Sequence, residues 1–334
     1  MSWEVLDPRY DAEPAYWRDL RARAGLRAEW AWEVLSAQAW SSRTPLLVSV
    51  LRAGAGVEGV VCASWAGLPV RRNGFVDAGR ARMVGGLHVR NPGTGSLPGW
   101  WAAGVPAVEL LRDYTSAMRR ALGFGCRGAL LRQLTAEEVA QQRTMGRCLS
   151  RPTESLAVLW TSRFSSVAGW VSAMKRSRRF DMRKIIRTVD ADAALVVAVE
   201  QGSALDPLEL AKVLRHNERK YSGRLAPLPQ TTGYLTALLS QPDVLVGTYR
   251  DAATGAIEAF ISILDHPAWP VTRHWSSMPA TRPDRPNLYL DHYRQLVAYA
   301  QANGKEGVIV GRGKPELKAS LTAELVPQYA AAIY

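Results

Sequence analysis

PNLYLDHYRQLVAYAQANGKEGVIVGRG, Pro286 to Gly313, reads as a helix, a glycine stop and an apolar strand. Leu290, Tyr293, Val297 and Ala300 recur at helical spacing and share one face. Asn303-Gly304 ends the helix, because these residues accept the left-handed conformation of a helix stop. VPAVELLRDYTSAMRRALGFGCRGALLRQL, Val105 to Leu134, has the same order of elements. What precedes each stretch also repeats. PLLVSVLRAGAGVEGVVCASW (Pro45 to Trp65) and DVLVGTYRDAATGAIEAFISILD (Asp243 to Asp265) are both strand, glycine-bearing turn, strand.

The repeat predicts an α/β chain of two fused units, each a mixed central sheet flanked by helices. The Pro and Ser content between Ser150 and Ser155 places the boundary at 152/153, giving units 1–152 and 153–334. The length of 334 residues agrees with two domains. Hydrophobic residues make up 47% and charged residues 22%, the balance of a globular chain, and without an apolar run of about 18 residues no membrane span is expected. The start, MSWEVLDPRYDAEP, lacks the basic and apolar segments of a signal peptide. Three dispersed cysteines, Cys62, Cys126 and Cys148, fit reduced thiols and no zinc site, so a cytoplasmic location is expected. The net charge of +12 favours a polyanionic partner, although arginine is scattered along the whole chain.

The loop Gly311-Arg312-Gly313-Lys314 excludes two nucleotide sites. A Walker loop needs glycine where Val308 stands and a hydroxyl residue where Pro315 stands. A dinucleotide fingerprint needs a third glycine at Glu316. Arg312 and Lys314, with the Gly313 backbone between them, form a candidate phosphate nest.

RRFDMRKIIR (Arg178 to Arg187), a hairpin, LYLDHYRQLVAYAQANG and then GRGKPELKASL resemble the Fem-type aminoacyl transferases and their GNAT-fold relatives. The resemblance covers Trp170 to Pro327 by motif and the first half by element order. It implies two GNAT-like units and amide-forming acyl transfer, without a metal or a covalent intermediate. Lys318 stands where that family has its loop lysine, implying stabilisation of charge on the transferring carbonyl or on the leaving group. Ala319, Ser320 and Leu321 depart from the aromatic-glycine expected after it.

The residues supply further candidates. Arg176, Arg179, Arg183 and Arg187 share a helical face, opposite Met182, Ile185, Ile186 and Val189, as a phosphate-binding stripe would. Glu258 lies mid-strand, where alternation aligns it with Phe260 and Ser262, and is the candidate proton acceptor. Asp265, His274, Trp275, Tyr289 and Asp291 are candidates for binding the acceptor amine, a small metabolite or a cell-wall precursor.

The donor has two readings. No glycine lies between Gly255 and Gly304, so the second unit lacks the glycine loop that holds the pyrophosphate of CoA. That favours aminoacyl-tRNA as co-substrate, with no tightly bound cofactor. Arg90-Asn91-Pro92-Gly93-Thr94-Gly95 matches a CoA loop in the first unit and keeps acyl-CoA open, through Arg90, Gly93 and Gly95. A non-catalytic RNA-binding or scaffold protein is the reading from a different class.

Overall fold

The computed structural model describes residues 1–42, 44–54, 56–68, 84–220, 230–279 and 287–334. These form two compact units, Met1–Ser155 with Pro327–Tyr334, and Leu156–Val326.

The first unit runs β1 (Ser2–Leu6), α1 (Trp17–Arg23), α2 (Trp32–Ser41), β2 (Leu46–Ala53), β3 (Gly56–Leu68), β4 (Val84–Val89), β5 (Trp100–Ala102), α3 (Ala107–Leu122), β6 (Cys126–Leu134), α4 (Ala136–Thr144) and the start of β7 (Cys148–Leu159). The second continues with α5 (Val167–Ser172), α6 (Arg176–Ala191), β8 (Leu195–Gln201), α7 (Pro207–Lys220), α8 (Thr232–Leu239), β9 (Val244–Asp251), β10 (Ile257–Leu264), β11 (Val271–Ser277), α9 (Leu288–Ala302), β12 (Val308–Gly311) and α10 (Pro315–Ser320). The last strand is β13 (Glu324–Ile333).

In the first unit the strand order is β1-β2-β3-β4-β6-β13, with β5 on β3. β4 and β6 are parallel, whereas β1–β2, β2–β3, β3–β4 and β6–β13 are antiparallel. One face packs on α3, whose Leu111, Tyr114 and Met118 meet Leu87, Val89 and Leu131. The other face packs Val48, Val50 and Val60 against Trp17, Trp30, Trp32 and Leu35. Helix α3 stops at Gly123 (φ +76°), whose N–H donates to the Arg119 carbonyl.

The second unit has the order β7-β12-β11-β10-β9-β8, again with one parallel pair, β11 and β12. Met182, Leu290, Tyr293 and Val297 of α6 and α9 pack with Ile261, Ile263 and Val310 of the sheet. Helices α7 and α8 pack against β9, β10 and β11 from the other side. The Tyr293, Val297 and Ala300 face is buried as its periodicity requires. Hairpin, strand, helix and parallel strand therefore recur in both units, as two mixed sheets flanked by helices.

The unit boundary differs from the sequence expectation of 152/153. β7 runs through that point, and its Val158 and Leu159 pair with Ile309 and Val308. The terminal residues, expected in the second unit, complete the first unit's sheet. Tyr329, Ala331 and Ile333 pair with Leu134, Leu131 and Ala129 of β6. Ala331 and Ile333 are buried in the α3 core. Gly128 is required there, since a Cβ would lie 2.1 Å from the Ile333 carbonyl oxygen.

Ile333→Ala is expected to destabilise the first unit by about 2–5 kcal/mol, the usual cost of emptying a buried isoleucine site. Hydrogen exchange checks it: protection should fall in β4 and β6 and hold in β9 and β10. Equal loss in both sets would mean that the terminal strand does not belong to the first unit alone.

Candidate functional site

The second unit's parallel pair diverges early. β11 and β12 pair through Val271 and Ile309, after which β11 runs on to Ser277 while β12 ends at Gly311. Both strands bulge there. On β11, Thr272 pairs with Ile263 and His274 with Ser262, leaving Arg273 as the extra residue. Its Nε is buried with no hydrogen-bond partner among the described residues. On β12 the bulge falls at Val310, between the pairs of Ile309 and Gly311.

The loop beyond β12 holds three left-handed residues in four: Gly311 and Gly313 at φ +77° and Lys314 at φ +50°. Glycine takes this conformation readily; a lysine does so at a cost of about 1–2 kcal/mol. A buried ammonium braces the turn. Lys318, 4% exposed, donates from Nζ to the carbonyls of Val310 (2.6 Å) and Arg312 (2.8 Å). A charge withdrawn from water needs such partners. Pro315 starts α10, where its missing N–H costs nothing.

An aromatic group lies beside this loop. Trp275 stacks on His292 with centroids 4.6 Å apart, and Tyr289 meets Trp275 edge-on at 5.5 Å. The His292 ring is 4.1 Å from that of Tyr293. Lys314 Nζ stands 4.5 Å above the Tyr289 ring, a cation–π contact that joins loop to aromatics. Burial pushes the His292 imidazole down to about 3, and the nearby charge of Lys318 pushes the same way. His292 is therefore a neutral ring at ordinary pH.

The structure brings Lys318, Arg312, Gly313, Lys314, Trp275 and Tyr289 together, and separates the others. His274 faces the opposite side of the sheet from Trp275, and its Nδ1 lies 2.9 Å from Ser262 Oγ, its cross-strand neighbour. Asp265 is bonded to Tyr299 and lies 3.0 Å from Lys305. Tyr299 is two turns from Asp291, about 12 Å along α9. Asp291 is fully buried and accepts from Tyr249 Oη (2.9 Å), Gln295 Nε2 (3.2 Å) and Arg294 Nη2 (3.3 Å). It fastens α9 to β9 and is not presented to an acceptor. Glu258 occupies a bulge, since Ile257 and Ala259 pair with the adjacent Arg250 and Tyr249. That bulge removes the alternation expected to align it with Phe260 and Ser262.

On α6 the exposed stripe is Arg176, Arg183 and Arg187, with Phe180 (66% exposed) between them. Arg179, expected on this stripe, is half-buried and donates to the Ser172 carbonyl. Met182 and Val189 are buried, as the opposite face requires. Arg178, off the stripe, donates from Nε to Ser320 Oγ at 3.0 Å and so ties α6 to the helix carrying Lys318. Sequence reasoning missed this link, and likewise Phe180 and Arg273. Phe180 is legible in retrospect as an apolar residue in register with three arginines.

In the Arg90–Gly95 loop, two backbone amides are engaged within the loop itself. Asn91 Oδ1 accepts from the Gly93 and Thr94 amides, both at 2.9 Å, and Thr94 Oγ1 accepts from Ser96 N. Asn91, Gly93 and Thr94 are buried, and α3 begins only at Ala107.

No protein-family model matches the chain, and no curated protein matches its sequence. Solved structures do match in fold. L-PGS from Bacillus licheniformis superposes with a TM-score of 0.63 at 11% identity, over 96% of this chain and 91% of that one. FemX gives 0.61 at 8% identity, over 100% and 98%. The fold is Fem-like. The C-terminal domain of a putative lysylphosphatidylglycerol synthetase from Agrobacterium fabrum also gives 0.61, at 14% identity over 95% and 90%. The Fem-like fold accords with the two repeated mixed sheets.

A pH dependence follows from His292. Its folded value of about 3 lies below the ordinary 6.5 of an unfolded chain. Between those values the unfolded state binds the proton and the folded state does not, so this contribution is complete above pH 6.5 and declines as pH falls toward 3. His274, also buried, is pushed in the same direction. Urea midpoints of the second unit should fall from pH 7 to pH 4.5, and less steeply in His292→Phe. An unchanged slope in that variant would show that His292 titrates normally.

Proposed function

We propose that this protein transfers an aminoacyl group from aminoacyl-tRNA to an amine, forming an amide. The observation that carries the reading is the Arg178–Ser320 hydrogen bond, which ties the arginine helix to the short helix bearing Lys318. A phosphate backbone lying along Arg176, Arg183 and Arg187 is thereby referred to the loop at Gly311–Lys314. The Fem-like fold supports the same reading.

The chemistry is an exchange of acyl partners. The amine nitrogen attacks the ester carbonyl, a tetrahedral oxyanion forms, and the bond to the ribose oxygen breaks. The proton lost by the amine ends on that leaving oxygen. Lys314, and Lys318 beneath the turn, supply positive potential where the oxyanion develops. The aromatic group of Trp275, Tyr289 and His292 offers an apolar wall against which the aminoacyl end can lie. Asn91 closing the Arg90–Gly95 amides weighs against acyl-CoA as donor. Among the described residues no helix is long and apolar enough to cross a membrane.

Two measurements test this. Binding of bulk tRNA should weaken steeply with salt, and Arg176→Gln/Arg183→Gln/Arg187→Gln should flatten the log–log slope by about 2–3, one counterion per lost phosphate contact. Transfer of a labelled amino acid from charged tRNA to a surrogate amine should drop at least about tenfold in Lys318→Met, because the loop loses its brace together with its positive potential. An unaltered salt slope with thermal protection by CoA would overturn the tRNA reading. tRNA binding with no amide product from any charged tRNA would leave a binding protein in its place.

A further inference from the structure

The first unit carries a second cationic site that the proposed transfer does not use. β4 and β6 are parallel, with His88 beside Leu130 and Val89 beside Leu131. Continuing the register brings Arg90 beside Arg132. Val89 and Leu131 point into the α3 core, so His88 and Leu130 lie on the opposite face. Leu130 is 39% exposed, so solvent reaches that face.

Three features mark the place as built. First, His88 Nε2 and Arg90 Nε are buried and have no hydrogen-bond partner among the described residues. Buried polar atoms of this kind are normally satisfied, and an unsatisfied one calls for a missing ligand. The charges of both Arg90 and Arg132 act on His88, which burial already holds near 4, so the three groups are neighbours. Second, Arg90 is fixed from behind. Its N–H donates to the Cys62 carbonyl, and Gly99 lies so close that a Cβ there would be 2.2 Å from the Arg90 carbonyl carbon. Third, Arg132 sits in a bulge, because Leu131 and Leu134 pair with Ala331 and Tyr329. The next residue, Gln133, is left-handed at φ +58° and is anchored by its Nε2 to the Gly95 carbonyl. A strained non-glycine residue held in a bulge re-aims the side chains beside it.

We propose that His88, Arg90 and Arg132 bind a phosphate group carried by a small molecule. Two guanidinium groups present planar donors that match phosphate oxygens, and the neutral imidazole adds a further hydrogen bond. A phosphate, with more oxygens and more charge than a carboxylate, suits three converging groups. The site is independent of the transfer proposed above and stands or falls separately.

The test is a titration of the whole protein with inorganic phosphate at constant ionic strength, read by thermal shift and calorimetry, with acetate as the control anion. Phosphate should raise the melting temperature where acetate does not. Arg90→Gln/Arg132→Gln should lower phosphate affinity at least about tenfold, the loss expected for charge-assisted hydrogen bonds, and leave the salt slope of tRNA binding as in the unaltered protein. Leu130→Glu, at a solvent-exposed position, gives a second variant that keeps the fold. Its carboxylate should fill the site, raise the ligand-free melting temperature and abolish the phosphate shift. Equal shifts with acetate, no phosphate shift in the unaltered protein, or an undiminished shift in Leu130→Glu would each overturn the proposal. Competition by glycerol 3-phosphate, against competition by phosphatidic-acid vesicles, distinguishes a soluble ester from a lipid headgroup.

Discussion

The candidate site hangs on one buried ammonium. Lys318 reaches back across its own loop to the Val310 and Arg312 carbonyls. Without it, a bulged strand end and three left-handed residues would have little to hold them in one conformation. Through that brace the loop reaches the aromatic group, since Lys314 lies over Tyr289. Through Ser320 it also meets the arginine helix. A lysine thus does by hydrogen bonding what packing does elsewhere, and its charge comes with the bracing.

The two units solve the same backbone problem with different residues. Each has a parallel strand that bulges and then enters the left-handed region, at Gly311 in one and Gln133 in the other. Glycine makes that turn at little cost and leaves the anchoring to Lys318. Glutamine makes it at a cost of about 1–3 kcal/mol and anchors itself through its own amide. The repeat is therefore one of geometry, which is why element order is preserved where the letters are not.

Much of the fold was legible because its signals are local. The helical spacing of Leu290, Tyr293 and Val297, the stop at Gly304 and the two glycine-turn hairpins each act within a few residues. The candidate site was legible only in part. Lys318, Lys314, Trp275 and Tyr289 emerge together, but grouping His274 with Trp275 ignored the two-residue period of a strand, which sends neighbours to opposite faces. The role of Asp291 depends on Tyr249, 42 residues away, which no local pattern announces. The Asn91 turn was in principle readable, since asparagine ahead of Pro-Gly commonly captures the amides that follow it. The partner of β13 was not readable, because the pairing of Tyr329 and Ile333 with β6 is a long-range choice.

That pairing also bears on how the chain is made. The strand that closes the first sheet is encoded after the whole of the second unit. During synthesis, β6 must wait with an uncovered edge while the whole of the second unit emerges. Closing so long a loop is slow, and an unpaired edge is a place where chains associate wrongly. Of the two units, the one that starts earlier in the sequence is thus completed later, and an arrested ribosome would leave its sheet open wherever the arrest falls short of Pro327.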